Sequence, residues 1–248
     1  GLGDVYKRQL QNSSKYAKIS SKRRDDMKII PSIASASQLD LKCQLDRIRD
    51  VPYIHIDVED GNFLPNITFG MKTVKEMAAY SKAELDVHLL TTNPIKYIQE
   101  LSKSGISAVC GHMEALPYPL EFLHEVRQAG MKAGLALNLS MPIEQVMSYI
   151  DSFDYLLLMT SEPDGCGQRF RSCALERIRR ARACIPDEVM IYADGGIGRD
   201  ELGKVAEAGA DCVVMGRAVW GAEDPAKAWK EMETLNGYGT DSKAFRNI

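Results

Sequence analysis

The 248-residue chain lacks any apolar run approaching the roughly 18 residues that a bilayer-crossing helix needs, so none of these residues is expected to form one. It has no Cys-x-x-Cys pair and no secretory signal. Its six cysteines, Cys43, Cys110, Cys166, Cys173, Cys184 and Cys212, stand apart from one another. They are expected to be buried free thiols in a reducing cytoplasm rather than a disulfide framework. An overall excess of positive charge is missing too. The formal charge is −3, yet residues 1–26 hold seven Lys/Arg against three Asp/Glu, a balance of +4, which leaves −7 on residues 27–248. An acidic body argues against a nucleic-acid partner. Histidine is scarce as well, with four in the chain, so where they fall carries information.

The basic head lacks an initiating methionine. Its "DVYKRQ" can be encoded by a transposon end used in preparing sequencing libraries, and "RR-DD-M" by AGGAGG, two Asp codons and ATG, which resembles a ribosome-binding site. Residues 1–26 are therefore expected to be a translated leader or a disordered tail, with Met27 as the natural start.

From Met27 onward, eight short apolar runs alternate with amphipathic stretches: "MKIIPSI", "PYIHIDV", "AELDVHLL", "SAVCGHM", "KAGLALN", "DYLLLMT", "VMIYADG" and "DCVVMG". Between them lie helix-like segments such as "QLDLKCQLDRIRD" and "YPLEFLHEVRQAG". In the latter, Leu120, Leu123, Val126 and Ala129 recur at helical spacing before Gly130. Strand–helix alternation repeated eight times over some 200 residues predicts parallel pairing and a single-domain (β/α)8 TIM barrel over residues 27–236, with 237–248 a loose polar tail. A doubly wound open sheet would need a Gly-rich dinucleotide turn after its first strand, and "PSIASASQ" is not one.

Barrel chemistry gathers at the C-terminal ends of the strands. "IHIDVEDGNFLPN" puts His55 and Asp57 two apart, hence on one face, at the end of the second strand. His88 closes the third strand, His112 and Glu114 the fourth, Asp194 the seventh, and Ser32 the first; His124 alone falls on a helix. One such histidine is as well explained as a hydrogen-bonded rim residue. Two histidines and two aspartates together are ligand chemistry for a divalent metal ion, Zn²⁺, Fe²⁺ or Mn²⁺. "DGGIGRDE" after the seventh strand and "GRAVWGAED" after the eighth stand where barrels of this kind hold phosphate, with glycine admitting the anion close to the backbone and Arg217 adding donors. Tight turns alone are the plainer reading of those glycines.

With these residues in view, the sequence resembles the ribulose-phosphate 3-epimerase family from Met27 to about Trp229. "PSIASA" matches the family's opening Pro-Ser-Ile-x-x-Ala. "HIDVEDGNFLPN" matches its H-x-D-V-M-D-G-x-F-V-P-N, and "DVHLL", "HMEA", "LNLSMP", "PDGCGQRF" and "ADGG" follow in the family's order. The resemblance implies His55, Asp57, His88 and Asp194 as metal ligands, with Asp57 and Asp194 also the catalytic acid–base pair. It implies Ser32 beside the substrate, Gly165 and Gly167 in a lid, and phosphate at Gly195, Gly196, Gly216 and Arg217. It implies epimerisation at C3 of a ketose phosphate, D-ribulose 5-phosphate to D-xylulose 5-phosphate, by a cytoplasmic homo-oligomer. The alternatives are a 3-epimerase for a ketohexose 6-phosphate and a phosphosugar-binding barrel without catalysis. The Asp-x-Lys-x-x-Asp strand of hexulose-phosphate synthases and decarboxylases is absent from "DVHLLTT". Glu59 and Leu90 replace family methionines, Met159 keeps a third, Leu139 replaces a proline, Asp164 and Gly165 stand for Gly and Phe, and Arg217 replaces a serine.

Overall fold

The computed structural model describes residues 27–163 and 167–237. Eight strands run in chain order: β1 (Lys28–Pro31), β2 (Tyr53–Glu59), β3 (Glu84–Leu90), β4 (Ala108–His112), β5 (Lys132–Leu137), β6 (Tyr155–Met159), β7 (Met190–Asp194) and β8 (Cys212–Met215). All ladders are parallel, and each strand pairs with its sequence neighbour from β2 through to β8. β8 returns to β1, and a parallel bridge between Ser32 and His55 joins β1 to β2. That single bridge nearly closes the barrel, and little free sheet edge is left between β1 and β2.

The helices are α1 (Leu41–Arg47), α2 (Met71–Tyr80), α3 (Ile98–Ser102), α4 (Pro119–Gln128), α5 (Cys173–Cys184), α6 (Arg199–Ala208), α7 (Arg217–Trp220) and α8 (Pro225–Gly237). The β5–β6 crossover is a 3₁₀ segment, Ile143–Tyr149, where strict alternation predicts an α-helix. In α4 the buried face is Pro119, Phe122, Leu123 and Val126, and Leu120 is exposed. Of the four residues at helical spacing, Leu123 and Val126 are on the buried face, and Phe122 takes the place beside them that Leu120 does not. α6 ends at Gly209 with φ +104°, a left-handed cap that a Cβ would strain. Trp229 Nε1 donates to the Ile29 carbonyl at 2.9 Å and Trp220 Nε1 to the Ser32 carbonyl at 2.7 Å, so α7 and α8 pin β1, the last strand needed for closure.

Alternation along each strand sorts its side chains into two cores. Ile54, Ile56 and Val58 of β2, Leu85, Val87 and Leu89 of β3, and Ile191 and Ala193 of β7 pack outward beneath the helices. The intervening residues point into the barrel, where Ile30, Cys110, Ala136, Tyr155, Leu157, Tyr192, Cys212 and Val214 fill the lower layers. The Tyr155 ring lies against Gly134 so closely that a Cβ there would meet it at 2.4 Å. Two of the expected buried thiols are buried, Cys110 and Cys212. Cys43, Cys173 and Cys184 are exposed, because each lies on the outer face or end of a helix. Cys166 lies outside the described residues. No disulfide forms among the described residues.

Candidate active site

The inward residues above that apolar plug are His55 and Asp57 on β2, Asp86 and His88 on β3, His112 on β4 and Asp194 on β7. The alternation that buries Ile54 and Ile56 outside the barrel obliges His55 and Asp57 to face inside. Parallel register then sets Asp57 beside His88, and His55 beside Asp86.

One ligand atom from each of His55, Asp57, His88 and Asp194 lies within 4.8 Å of the other three. His55 Nε2 is 3.1 Å from Asp57 Oδ1 and 3.8 Å from Asp194 Oδ2. His88 Nδ1 is 3.2 Å from Asp57 Oδ1 and 3.4 Å from Asp194 Oδ2. Two imidazoles and two carboxylates converging on one point, with both rings fully buried, suit a divalent transition metal. Two buried carboxylates this close repel unless positive charge lies between them.

The protonation pattern expresses the same demand. Burial disfavours the imidazolium of His55, but Asp86 and Asp57 outweigh it and its pKa is raised well above normal. Burial also works against His88, and Asp194 and Asp57 again lift it. For Asp57, burial is overcome by His55 and His88, which hold the carboxyl far below the usual range. For Asp194, burial prevails with the help of the Asp57 charge, and the pKa is raised despite the His88 hydrogen bond. Neighbouring carboxyls driven apart in this way are a recurring feature of acid–base sites. A divalent cation held by these four side chains would supply positive charge between the two carboxylates.

Ser32 Oγ donates to Asp57 Oδ2 at 2.5 Å, tying the end of β1 to the site. Glu59, half-buried, accepts the Asn66 side-chain amide at 2.6 Å; burial raises its carboxyl and the amide opposes the rise. Its side chain thus engages the β2 loop rather than His55 or His88.

Beside the cluster is a cleft of about 330 Å³, lined among others by Ser32, Asp57, Asp194, Gly195, Gly196, Gly216 and Arg217. Gly195 and Gly196 have φ of +117° and +68°, and a Cβ on either would strike backbone at 3.0 Å or closer. A Cβ on Gly216 would lie 2.2 Å from Ser35 Oγ. Arg217 is exposed at the cleft and its Nη2 donates to the Gln168 carbonyl at 3.0 Å. Gly167 lies beneath that guanidinium, 2.7 Å from Nη1 at its Cβ direction. Gly165 lies outside the described residues.

The sequence reading named no role for four residues that the fold brings here. Asp86, the first residue of "DVHLL", bonds His55; its position two before His88, on the same face, was the available signal. Ser35 and Gln168 line the cleft. Arg177, reaching in from α5, donates to the carbonyls of Asn138, Met141 and Met159, and so braces the loops above β5 and β6.

Fold and donor set together define a class: a (β/α)8 barrel with a candidate metal centre at the C-terminal face beside a glycine-walled cleft. The comparisons with known proteins then give the family. The profile described as the ribulose-phosphate 3 epimerase family matches residues 28–220, and the chain belongs to that family. It is 36% identical over 203 residues to a ribulose-phosphate 3-epimerase of Mycobacterium tuberculosis, covering 81% of this chain and 89% of that one. It is 35% identical to that of Bacillus subtilis, covering 83% and 98%. It is 33% identical to one of Oryza sativa subsp. japonica named as a cytoplasmic isoform, covering 81% and 90%. Among solved structures it shares its fold with a thiamine phosphate pyrophosphorylase from Pyrococcus furiosus, at a TM-score of 0.61 and 15% identity, over 88% of this chain and 99% of that one. An orotidine 5'-phosphate decarboxylase from Pyrococcus horikoshii aligns equally well, at a TM-score of 0.61 and 15% identity, over 84% and 98%. No helix among the described residues is long and apolar enough to cross a membrane.

Proposed function

We propose that this isomerase-class enzyme interconverts D-ribulose 5-phosphate and D-xylulose 5-phosphate by moving a proton at C3 between Asp57 and Asp194. Family membership supports the reaction. One observation carries the residue assignment: carboxylates from β2 and β7, far apart around the barrel, approach the same His88 nitrogen at 3.2 and 3.4 Å. Carboxylates entering from separated strands are suited to opposite faces of a planar intermediate.

The C3 hydrogen of a ketose is weakly acidic. A divalent ion held by His55, Asp57, His88 and Asp194 supplies Lewis-acid polarisation of the ketone. Asp57, ionised, removes the proton of one epimer. Asp194, protonated at the start of that half-reaction, delivers a proton to the opposite face, and the roles exchange in the reverse direction. Ser32 holds the Asp57 carboxylate in position through Oδ2. The backbone at Gly195, Gly196 and Gly216, with the Arg217 guanidinium, receives the phosphate and places C3 between the acids.

Zn²⁺, Fe²⁺ and Mn²⁺ all suit the donor set. The exposed free thiols of Cys43, Cys173 and Cys184 and the cytoplasmic rice relative support a cytoplasmic setting. Exposed Leu39, Ile67, Tyr118 and Leu120 support a homo-oligomer. The test is purified protein incubated with D-ribulose 5-phosphate and followed by NMR, with elemental analysis alongside. Xylulose 5-phosphate formation that chelator abolishes and added metal restores is expected, with about one metal per chain. No conversion, or activity untouched by complete metal removal, contradicts the proposal.

A further inference from the structure

The two inward histidines present different nitrogens. His55 turns Nε2 toward Asp57 and Asp194, whereas His88 turns Nδ1 toward them. A neutral imidazole offers a lone pair at one nitrogen only when the proton is on the other. The remote nitrogens, His55 Nδ1 and His88 Nε2, therefore decide whether both rings can act as donors to a metal ion.

Each remote nitrogen has its own buried partner. His55 Nδ1 is 2.7 Å from Asp86 Oδ2, and a carboxylate there can only accept. His88 Nε2 is 2.8 Å from His112 Nε2, so one ring must donate to the other. If His88 keeps its lone pair at Nδ1, it donates from Nε2. His112 must then accept at Nε2 and carry its own proton on Nδ1. That nitrogen faces Glu114 Oε2 at 3.5 Å, while Glu114 Oε1 accepts the Asn138 N–H at 3.1 Å. The Phe63 ring packs against the His112 ring at 4.8 Å and limits its rotation. The hydrogen bond between the rings thus runs from His88 to His112, and His112 Nδ1, which has no hydrogen-bond partner of its own among the described residues, faces the Glu114 carboxylate that Asn138 holds from the loop after β5.

We propose that Asp86 and His112, the latter backed by Glu114, are positioning residues that fix His55 as its Nδ1–H tautomer and His88 as its Nε2–H tautomer, turning both lone pairs toward Asp57 and Asp194. The proposal rests on reading those four residues as a metal centre. It assigns His112, which lies at the end of β4 outside the donor set, the role of acceptor. Partners of this kind typically contribute about 10–100-fold in metal affinity.

The experiment titrates Zn²⁺ into metal-free protein against a chromophoric chelator, with thermal unfolding measured in parallel. Asp86→Leu and His112→Phe should each weaken zinc binding about 10–100-fold. Asp86→Asn and His112→Gln, whose side-chain carbonyls can accept the same hydrogen bond, should recover most of that loss. A packing role alone gives no such recovery. Unchanged affinity in the Leu and Phe variants, or equal loss in the Asn and Gln variants, overturns the proposal. Wild-type protein that binds no zinc, manganese or iron overturns the metal-centre reading itself, a separate result. In zinc-loaded wild type, long-range ¹H–¹⁵N correlation should place protons on His55 Nδ1, His88 Nε2 and His112 Nδ1. A proton on His112 Nε2 overturns the assignment even if a variant does not fold.

Discussion

Gly196→Ala adds one methyl group where the β7 turn meets the segment 168–170. Gly196 has φ +68°, and its Cβ would lie 2.4 Å from the Gln168 carbonyl oxygen, 2.4 Å from Phe170 N and 2.8 Å from the Arg169 carbonyl carbon. All three are backbone atoms, so no rotamer change relieves the clash. Ordinary carbon contact begins near 3.5 Å, which requires segment 168–170 to retreat by about 1 Å. A Cβ in left-handed backbone costs roughly 1–2 kcal/mol, and overpacking adds about 1–3 kcal/mol. A total of about 2–5 kcal/mol lowers Tm by roughly 4–20 °C in a chain of this size. The Gln168 carbonyl that retreats is the one holding Arg217 at 3.0 Å, so the anion side of the cleft loosens while His55, Asp57 and His88 keep their places. Steady-state kinetics with D-ribulose 5-phosphate should show KM raised about ten-fold, kcat reduced less than about three-fold and metal content unchanged. Wild-type Tm and KM in this variant would refute the packing argument.

Arg217→Ser should raise KM for the phosphorylated ketose about 3–30-fold with little change in kcat, the signature of lost uniform binding; saturation kinetics check it, and an unaltered KM removes Arg217 from the phosphate site. Glu59→Met removes a carboxylate that bonds Asn66 rather than the histidines, so metal affinity measured by competition should stay within about three-fold of wild type. Asp60 accepts the N–H groups of Asn62, Phe63 and Thr92, and against the opposing effect of burial these hold its carboxyl below the ordinary 3.8. A depressed acid contributes stability that is present above pH 3.8 and lost as pH falls through the folded-state value. Asp60→Asn should therefore be less stable than wild type by about 1 kcal/mol above pH 5, allowing for solvent screening, and the two Tm curves should draw together as pH falls below 3.8 toward the folded-state value.

The barrel was legible because parallel strands buried on both faces leave nearly continuous apolar runs, and eight of those runs are present. The site was legible because its residues violate that rule: His55 and Asp57 interrupt β2 with period two, His88 lies two residues from the end of β3, and Asp194 ends β7. Asp86 breaks the rule in the same way but sits four residues before the end of β3, away from the strand ends where barrel chemistry gathers. Its partner, His55 Nδ1, is set by cross-strand register, which one sequence does not display. The helix after β4 has its spacing in the sequence, but the apolar Leu120 and Phe122 both satisfy a helical pattern, and only tertiary packing buries Phe122 and exposes Leu120. The 3₁₀ crossover Ile143–Tyr149 and the exposure of Cys43, Cys173 and Cys184 are likewise decided by neighbours distant in the chain.

The central claim is that Asp57 and Asp194 serve opposite faces of the substrate, and isotope exchange in D2O tests it most directly. Asp57→Asn and Asp194→Asn are prepared, their metal content is verified, and each is incubated with D-ribulose 5-phosphate and separately with D-xylulose 5-phosphate while the C3 proton is followed by ¹H NMR. Epimerisation should fall by at least about 10²-fold in both. The remaining aspartate should still remove and return a proton on its own face. Each variant should then exchange the C3 hydrogen of one epimer without converting it, and the two variants should select opposite epimers. Exchange of the same epimer by both metal-loaded variants, or near-wild-type epimerisation by either, would contradict the account.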